Sequence, residues 1–458
     1  MNTLDRAVRA LRTEFQGTLL TPGVPGYDDA RALFNAMIDK RPAVIAQCAD
    51  VPDVQGALRL ARDTGLEIAV RGGGHGVAGA ALTEGGLVID LRRLNSVTVD
   101  PDARTATVAG GATMGDLDRA TAAYGLATTG GRVSSTGVAG FTLGGGSGWI
   151  ERKFGLAVDR LLAVDLITAD GGAVRASERE NPDLFWALHG GGGNFGVATG
   201  LTFRLDPLTD FSFALLLWPA DRGPDVFRRW RDVMVDAPDE VGGGAIYLTG
   251  SAEMPFVPAS LHGRLAAGVL FTFVGDERGV REIARPLLEL GPAGEMITAL
   301  PYVEFQSMLD DPPGFRNYWS AEHLDALPDP AVDAFCASAA TMIVPSPSQH
   351  ALFALGGAVA RGTGDWPISF RSAPWVVHPF GLWSDPADDE RGRAWARGVR
   401  TAMEPWSTGD VYLNFTGDEG HERVVAGFGK ANYDRLAAIK SQYDPGNLFH
   451  LNHNIRPA

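Results

Sequence analysis

The feature that most constrains this sequence is a run of glycines around one histidine, Arg71-Gly-Gly-Gly-His75-Gly76. It follows the apolar, β-branched stretch 66–70, so the pattern predicts a strand that ends in a glycine loop. Glycine has no Cβ, and three in succession let the backbone approach a ligand and turn its N–H groups toward an anion. Such a site needs no histidine. From the loop alone, His75 is either a hydrogen-bonding residue or a nucleophile that bonds to a bound cofactor.

Composition limits the class of protein. A chain of 458 residues exceeds one hydrophobic core and predicts two domains, and 45% hydrophobic residues exclude a disordered chain. The net charge of −15, without a basic patch, argues against a nucleic-acid partner. Cys48 and Cys336 lie too far apart for a disulfide framework, and no zinc spacing occurs. The lack of a signal segment or a long apolar run predicts a cytoplasmic protein without a membrane partner.

Hydrophobic periodicity predicts an order of elements that divides the chain. An amphipathic helix is expected over 1–12. Strands are then expected at 43–46, 66–70, 87–91, 97–99, 105–108, 162–168 and 197–205, with helices at 51–62 and 113–124. After Pro207 the pattern changes to strands at 211–218, 245–248 and 265–273, separated by helices at 225–236 and 279–290. We therefore expect a discontinuous unit, 1–207 and 408–458, with a second unit, 208–407, inserted.

Four further segments share the glycine-rich character of the first. They are Gly130-Gly-Arg-Val-Ser-Ser-Thr-Gly137 with its continuation to Gly146, Arg152-Lys-Phe-Gly-Leu-Ala-Val-Asp159, Gly190-Gly-Gly-Gly-Asn-Phe-Gly196, and Tyr443-Asp-Pro-Gly-Asn447 with its continuation to Ile455. In this order the five segments resemble the bacterial branch of the berberine bridge enzyme-like FAD-linked oxidoreductases, in the vanillyl-alcohol oxidase / p-cresol methylhydroxylase superfamily. The resemblance implies an α+β fold: a p-cresol methylhydroxylase-type FAD-binding domain with an inserted antiparallel-sheet substrate domain.

The same resemblance implies the cofactor and its contacts. His75 matches the histidine that is joined to the flavin 8α carbon, whereas the position of the family's second, cysteinyl tether is Val133. We therefore expect FAD with one covalent bond. The expected cofactor-binding residues are Arg71, Gly72, Gly73, Gly74, His75, Gly76, Gly79, Gly131, Thr136, Gly137, Gly140, Gly144, Gly145, Gly192, Asn194, Val197, Tyr412, Asn414, Asn452 and Asn454.

The catalytic residues are less clear from the sequence. Tyr412-Leu-Asn-Phe415 matches the family motif Tyr-x-Asn-Tyr/Phe, but the tyrosine that serves as base in many plant members is Phe415 here. The base must then come from elsewhere. We expect Tyr412, Tyr247 and Thr136 as catalytic residues, with Thr136 at the position near the flavin's reactive edge. Weaker candidates are Tyr318, His350 and His378.

Two other site types are not supported. Gly191-x-Gly193-x-x-Gly196 has the dinucleotide spacing, but a strand-like stretch follows it where that motif requires a helix. His450 and His453 are three residues apart in the closing segment, and we interpret them as structural. We therefore expect neither a nicotinamide cofactor nor a metal.

Three functions fit these observations. The first is an FAD-dependent oxidase of a small organic substrate, in secondary metabolism, with hydride transfer to flavin and reoxidation by O₂. The second is an oxygenase that uses a flavin-N5-oxide, because the Val-Ser-x-Thr-Gly stretch also resembles the enterocin Favorskii-type oxygenase. The third is a flavin-binding protein without catalysis, given Phe415. The expected partners are a small molecule and O₂, and the expected state is a monomer or a small homo-oligomer.

Overall fold

Three large β-sheets follow one another along the chain in the computed structural model, which describes residues 3–458. The strands are β1 (Thr18–Leu20), β2 (Val44–Gln47), β3 (Ile68–Arg71), β4 (Leu87–Asp90), β5 (Val97–Asp100), β6 (Thr105–Ala109), β7 (Leu126–Ala127), β8 (Leu161–Ile167), β9 (Ala173–Ser177), β10 (Val197–Arg204), β11 (Asp206–Pro207), β12 (Ser212–Pro219), β13 (Val241–Thr249), β14 (Leu265–Phe273), β15 (Gly294–Ala299), β16 (Arg316–Trp319), β17 (Glu322–Leu324), β18 (Gln349–Ala354) and β19 (Trp375–Trp383). The helices are α1 (Thr3–Arg12), α2 (Tyr27–Arg31), α3 (Val51–Thr64), α4 (Met114–Ala122), α5 (Val138–Leu143), α6 (Glu151–Phe154), α7 (Pro182–Ala187), α8 (Gly223–Val235), α9 (Glu277–Leu288), α10 (Tyr302–Met308), α11 (Asp329–Ser338), α12 (Gly357–Arg361), α13 (Asp389–Met403), α14 (His421–Phe428) and α15 (Lys430–Tyr443).

The first sheet places the histidine loop. Its order is β1-β2-β4-β3, with β2, β4 and β3 parallel and α3 as the crossover. The helix begins at Asp50, whose side chain accepts from the N–H of Asp53, and it ends at Gly65 with φ of 69°. Both are favoured helix boundaries. The chain therefore enters β3 in a fixed register and leaves it at Arg71, directly before the glycine loop.

The second sheet carries two more glycine-rich loops. It is antiparallel with the order β5-β6-β10-β8-β9. A capping box between Thr113 and Asp116 starts α4 after β6. The loop at 190–196 leads directly into β10, a central strand of the sheet. The C-terminal end of β6 lies beside the N-terminal end of β10. The loop at 110–113, which follows β6, and the loop at 190–196, which precedes β10, therefore lie at the same edge of the sheet.

The third sheet is antiparallel, with the order β15-β12-β14-β13-β18-β19-β16 and β17 paired to β19. Helices α8, α9, α11 and α13 cover one face, where a core of buried aromatic and aliphatic side chains includes Trp218, Trp230 and Phe335. The other face contributes Leu215, Leu217 and Phe353 to the main core. Residues of a strand alternate between these faces, so each strand contributes both to the helix-covered core and to the opposite side.

The predicted α+β fold with an antiparallel inserted sheet is confirmed. The strands and helices expected before residue 290 are present with ends that differ by up to four residues; of the expected helix over 1–12, residues 1 and 2 lie outside the described part. The sequence interpretation missed α5 inside the glycine-rich stretch and most elements after residue 290. In residues 3–458, none of the helices has both the length and the hydropathy that a membrane span requires.

Candidate functional site

A cavity of about 910 Å³ lies between the glycine loops and the uncovered face of the third sheet. Its lining joins segments that are far apart in sequence: 72–78, 131–144, 190–196, 412–416 and 449–453 on one side, and strands β12, β13, β14 and β18 on the other. Four of the five segments singled out from the sequence contribute to this one cavity; the segment 152–159 does not.

Two glycine loops meet in direct backbone contact at the cavity wall. A Cβ on Gly73 would lie 2.4 Å from the amide nitrogen of Gly137, and a Cβ on Gly137 would lie 2.3 Å from that of Gly73. Backbone atoms cannot move aside as a flexible side chain can, so both positions require glycine. The amide N–H groups of Gly73, Gly74 and Gly76 have no acceptor within residues 3–458. Such unfilled donors form an anion-binding surface.

His75 stands on the first of these loops with its ring held against an aromatic side chain. Its ring centroid is 3.7 Å from that of Phe34, with an angle of 20° between the planes, and Trp319 is 6.1 Å away. Its Nε2 is buried and has no hydrogen-bond partner within residues 3–458. Burial lowers the pKa of His75 to about 4. The imidazole is therefore neutral at neutral pH, the form that retains a nucleophilic lone pair.

Tyr412 and Asn414 are fixed against the glycine-rich stretch. The Tyr412 hydroxyl oxygen accepts from the N–H of Gly146 at 2.9 Å, the N–H of Ser147 at 3.0 Å and the Asn414 Nδ2 at 3.1 Å. The same Nδ2 donates to the Phe141 carbonyl at 3.0 Å. Burial raises the pKa of Tyr412 above its usual value. The hydroxyl is thus a neutral phenol surrounded by donors, and it anchors the C-terminal segment to the cavity wall.

Arg132 is the basic side chain of the cavity wall, and it is engaged by an acid and by aromatic rings. Its Nη2 lies 3.1 Å from Glu151 Oε1, and its guanidinium carbon lies 4.3 Å from the centroid of the Phe353 ring and 4.9 Å from that of Trp149. The Phe415 ring, at the family's tyrosine position, is 5.9 Å away. Burial raises the pKa of Glu151, while Arg132 opposes that shift.

A buried hydrogen-bond network joins the C-terminal segment 443–455 to the loop before β10. Asn194 donates through Nδ2 to the carbonyls of Gly191 at 2.7 Å and His453 at 3.2 Å, and its Oδ1 accepts from the N–H of Ile455 at 2.9 Å. Lys440 Nζ donates to the Asn194 carbonyl at 2.6 Å and to Asp444 at 2.6 Å. The side chain of Asn194 is therefore fully used in holding this edge of the cavity together.

Most of the residues expected from the sequence line the cavity, and some do not. Those that line it are Gly72, Gly73, Gly74, His75, Gly76, Gly131, Thr136, Gly137, Gly140, Gly144, Gly192, Asn194, Tyr412, Asn414 and Asn452. Those outside the lining are Arg71, Gly79, Gly145, Val197 and Asn454. Arg71 donates to the carbonyls of Ala30 and Ala32 at 2.5 and 2.7 Å, which holds the chain beneath the loop. A Cβ on Gly79 would lie 2.7 Å from Ile38, so this glycine also serves packing.

The expectation that Tyr247 lines the substrate site is wrong. Its ring packs on the helix-covered face against Phe227 and Phe335, with centroids 5.0 and 6.1 Å away, and its hydroxyl donates to the Ala220 carbonyl at 3.2 Å. Its neighbours on the strand, Ile246 and Leu248, line the cavity instead. The sequence predicted that the side chains of β13 alternate between two faces of the sheet, but it did not show which face borders the cavity.

The weaker base candidates are also placed by the structure. His350 stacks on Phe335, 3.9 Å between centroids, on the helix-covered face, and Tyr318 meets Arg397 outside the cavity. His378 lies behind the cavity wall, where Nδ1 is 2.7 Å from the Ser320 carbonyl and the ring stacks on Phe415 at 4.0 Å. None of the three lines the cavity.

The sequence interpretation missed Phe34, which stacks on His75, and the cavity residues Asp311 and Gln349. Phe34 lies in an irregular stretch before β2, and Asp311 and Gln349 lie in the inserted unit, where no motif marks them. Gln349 Nε2 donates to Asp311 Oδ1 at 3.2 Å. These residues come together only through tertiary packing, so no local signal could have identified them.

Known proteins match this arrangement over nearly the whole chain. The family model described as an FAD binding domain matches residues 42–177, and the model described as berberine and berberine like matches residues 411–456. An uncharacterized FAD-linked oxidoreductase, YgaK, of Bacillus subtilis is 30% identical over 456 residues, which cover 97% of this chain and 98% of that protein. This chain belongs to the berberine bridge enzyme-like FAD-linked oxidoreductases.

Solved structures of this FAD-linked oxidoreductase family extend the agreement to three dimensions. The crystal structure of 6-hydroxy-D-nicotine oxidase from Arthrobacter nicotinovorans superposes with a TM-score of 0.86 at 28% identity, covering 97% of this chain and 98% of that one. Glucooligosaccharide oxidase from Acremonium strictum, whose FAD is described as 6-S-cysteinyl and 8α-N1-histidyl, shares the fold, with a TM-score of 0.84 at 21% identity over all of both chains.

The residues of the cavity fit FAD. The backbone contact at Gly73 and Gly137 and the unfilled N–H groups of the loop suit a pyrophosphate. The cavity of about 910 Å³ has room for a flat ring system, and His75, whose Nε2 has no hydrogen-bond partner within residues 3–458, belongs to its wall. As an FAD-linked oxidoreductase, the protein has the groups that such a cofactor needs.

Proposed function

We propose that this protein is an FAD-dependent oxidase that holds FAD through a single covalent bond to His75 and oxidises a small organic substrate of secondary metabolism with O₂. The observation that carries the proposal is the neutral imidazole of His75 on the glycine loop of the cavity, with an Nε2 that has no hydrogen-bond partner within residues 3–458. We also propose a division of labour in which 1–207 and 408–458 hold the cofactor and 208–407 hold the substrate.

A single bond is proposed because the chain offers one nucleophile there. Val133 lines the cavity beside Arg132, and it is the position that the family resemblance assigns to the second, cysteinyl tether. Valine has no thiol, and the two cysteines lie elsewhere: Cys48 is buried in the core of the first sheet, and Cys336 lies on α11.

When bound, FAD would accept two electrons from substrate and pass them to O₂, with H₂O₂ as the product. The chain's own residues would supply the rest. Phe34 holds the His75 ring in one orientation by stacking. Tyr412, fixed by its three donors, sets the position of Asn414 at the wall. The aromatic and aliphatic side chains of the third sheet exclude water from the substrate side.

The oxidase proposal is tested without knowledge of the substrate. The purified holoenzyme is photoreduced without oxygen, and air is then admitted while the visible flavin absorbance and H₂O₂ are followed. We expect rapid recovery of the oxidised spectrum with stoichiometric H₂O₂. A reduced protein that neither O₂ nor any added acceptor reoxidises supports the reading as a flavin-binding protein without catalysis, and it refutes the proposal.

An oxygenase is the second candidate. It is favoured by Thr136, a polar residue of the cavity lining at the position that the family resemblance places near the flavin's reactive edge. Incorporation of isotope from labelled O₂ into product, together with an atypical absorption spectrum of the resting enzyme, would decide for this candidate. Label that appears only in H₂O₂ decides for the oxidase.

A further inference from the structure

The substrate side of the cavity has a large apolar surface, to which a few hydroxyl, amide and carboxyl groups are added. Leu215, Leu217, Ile246, Leu248 and Phe353 form much of its wall on the third sheet. The carboxyl groups that line it are those of Glu253, Asp310 and Asp311. An apolar wall of this kind favours a hydrophobic substrate body over a sugar, so a carboxyl group within it has a large influence on which substrates bind.

Asp311 has an open oxygen on this wall. The side chain is half-buried, and its one hydrogen bond within residues 3–458 is from Gln349 Nε2 to Oδ1, at 3.2 Å, which leaves Oδ2 free to accept from a bound molecule. Burial, and to a smaller extent the neighbouring Asp310, raise the pKa of Asp311 to about 7. Within residues 3–458 no basic side chain is paired with Asp311, so its ionised form lacks a neighbouring opposite charge.

The charged groups around Asp311 do not supply that compensation. Arg132, the basic side chain among the lining residues apart from two histidines, is paired with Glu151 at 3.1 Å. His75 is neutral because its pKa is lowered to about 4. Glu253 is exposed and carries the same sign as Asp311.

Both carboxylate oxygens of Asp310 already accept hydrogen bonds from Ser134. Its Oδ1 accepts from the N–H of Ser134 at 2.6 Å, and its Oδ2 accepts from the Ser134 hydroxyl. This contact ties the loop of Asp310 to the loop that carries Val133 and Thr136. The open oxygen of Asp311 is thereby held beside the part of the cavity that we assign to the cofactor.

We propose that Asp311 selects substrates that carry a protonated amine on an apolar body, with the ammonium group donating to Asp311 Oδ2. The inference rests on the proposed function, because it names the substrate class of the same cavity. An ammonium supplies the missing opposite charge, and its hydrogen bond to a carboxylate is of the strong, charge-assisted type. The apolar wall binds the remainder of the substrate by the hydrophobic effect.

The pairing makes amine binding depend on pH with a defined sign. Around pH 6 Asp311 is mostly protonated and neutral, and around pH 8 it is mostly ionised, while an alkylammonium keeps its proton over this range. Amine affinity therefore rises with pH from about 6 to about 8. A neutral alcohol has no such dependence.

The test uses the flavin-loaded enzyme and three matched probes: benzylamine, benzyl alcohol and benzoate. Binding is followed by the change that each probe causes in the visible flavin spectrum, without turnover. The variant Asp311→Asn keeps an oxygen for Gln349 and removes the charge, and Glu253→Gln removes the same charge from an exposed position of the wall. We expect Asp311→Asn to weaken benzylamine binding roughly tenfold or more, with benzyl alcohol unchanged and Glu253→Gln close to the parent.

Either of two results overturns this inference: benzylamine binding that is equal in Asp311→Asn and parent, or parent affinity for benzylamine that is flat between about pH 6 and about pH 8. The second measurement uses the parent alone, so it does not depend on the folding of a variant. A protein that carries no flavin would instead refute the proposed function, and the two failures are therefore distinct.

Discussion

Replacing Tyr412 by phenylalanine tests the anchoring of the C-terminal segment to the cavity wall. Tyr412 is 1% exposed, and its hydroxyl oxygen accepts from the N–H groups of Gly146 and Ser147. Asn414 keeps the Phe141 carbonyl as a partner, so the substitution leaves the two backbone donors without the one acceptor that residues 3–458 give them. At about 1–3 kcal/mol for each, we expect a loss of about 2–6 kcal/mol in the free energy of unfolding, toward the lower end where cavity water replaces the hydroxyl.

The assay is urea unfolding followed by tryptophan fluorescence, with flavin content measured on the same samples. Tyr318→Phe is the matched control, because its hydroxyl meets one partner, the exposed Arg397, at 3.2 Å. We expect the control to change the unfolding free energy by less than about 0.5 kcal/mol. If Tyr412→Phe is as stable as the control and loads flavin equally well, the reasoning from the three donors is refuted.

Three further predictions concern the cofactor. Gly137→Ala places a Cβ 2.3 Å from the backbone of Gly73 and should abolish flavin loading, whereas Gly398→Ala, at an exposed position of α13 with nothing within 4 Å, should load normally; equal loading would contradict the proposed contact. Val133→Cys, at the cavity wall, should acquire a second covalent bond to flavin, seen as flavin mass on two peptides, whereas the buried Val138→Cys should not; a Val133→Cys protein with one modified peptide would count against the assigned position. Because the pKa of His75 is about 4, its imidazole stays neutral above that pH, so the rate at which apoprotein bonds added FAD should be flat from about pH 5 to about pH 8 and fall only through about pH 4; a fall centred near pH 6.5, the ordinary histidine value, would show that burial does not act on this ring.

The sequence predicted the parts of the site that depend on the backbone. Positions such as Gly73 and Gly137 tolerate no side chain, and that requirement is visible as glycine clusters. The strand before His75 was recognisable from its apolar pattern, and so was the helix that precedes that strand. These are local signals, and the fold that they implied through the family resemblance agrees with the structure.

The parts that depend on tertiary packing were not predictable. Tyr247 sits in a clear strand, but period-two alternation does not say which face meets the cavity, and an error in that choice moves every side chain to the other face. Arg71 precedes the loop directly in sequence, but its guanidinium donates to the carbonyls of Ala30 and Ala32 and not into the cavity. Asp311 and Gln349 are 38 residues apart and meet only in the folded chain.

The most direct test of the account is the mass of one peptide. Trypsin cleaves after Arg71 and Arg92, so the fragment 72–92 contains His75. In a digest of acid-precipitated native protein, we expect this fragment to carry the mass of FAD and the fragment with Val133 to lack it. A fragment 72–92 of unmodified mass, with all the yellow colour released into the acid supernatant, would contradict the bond to His75.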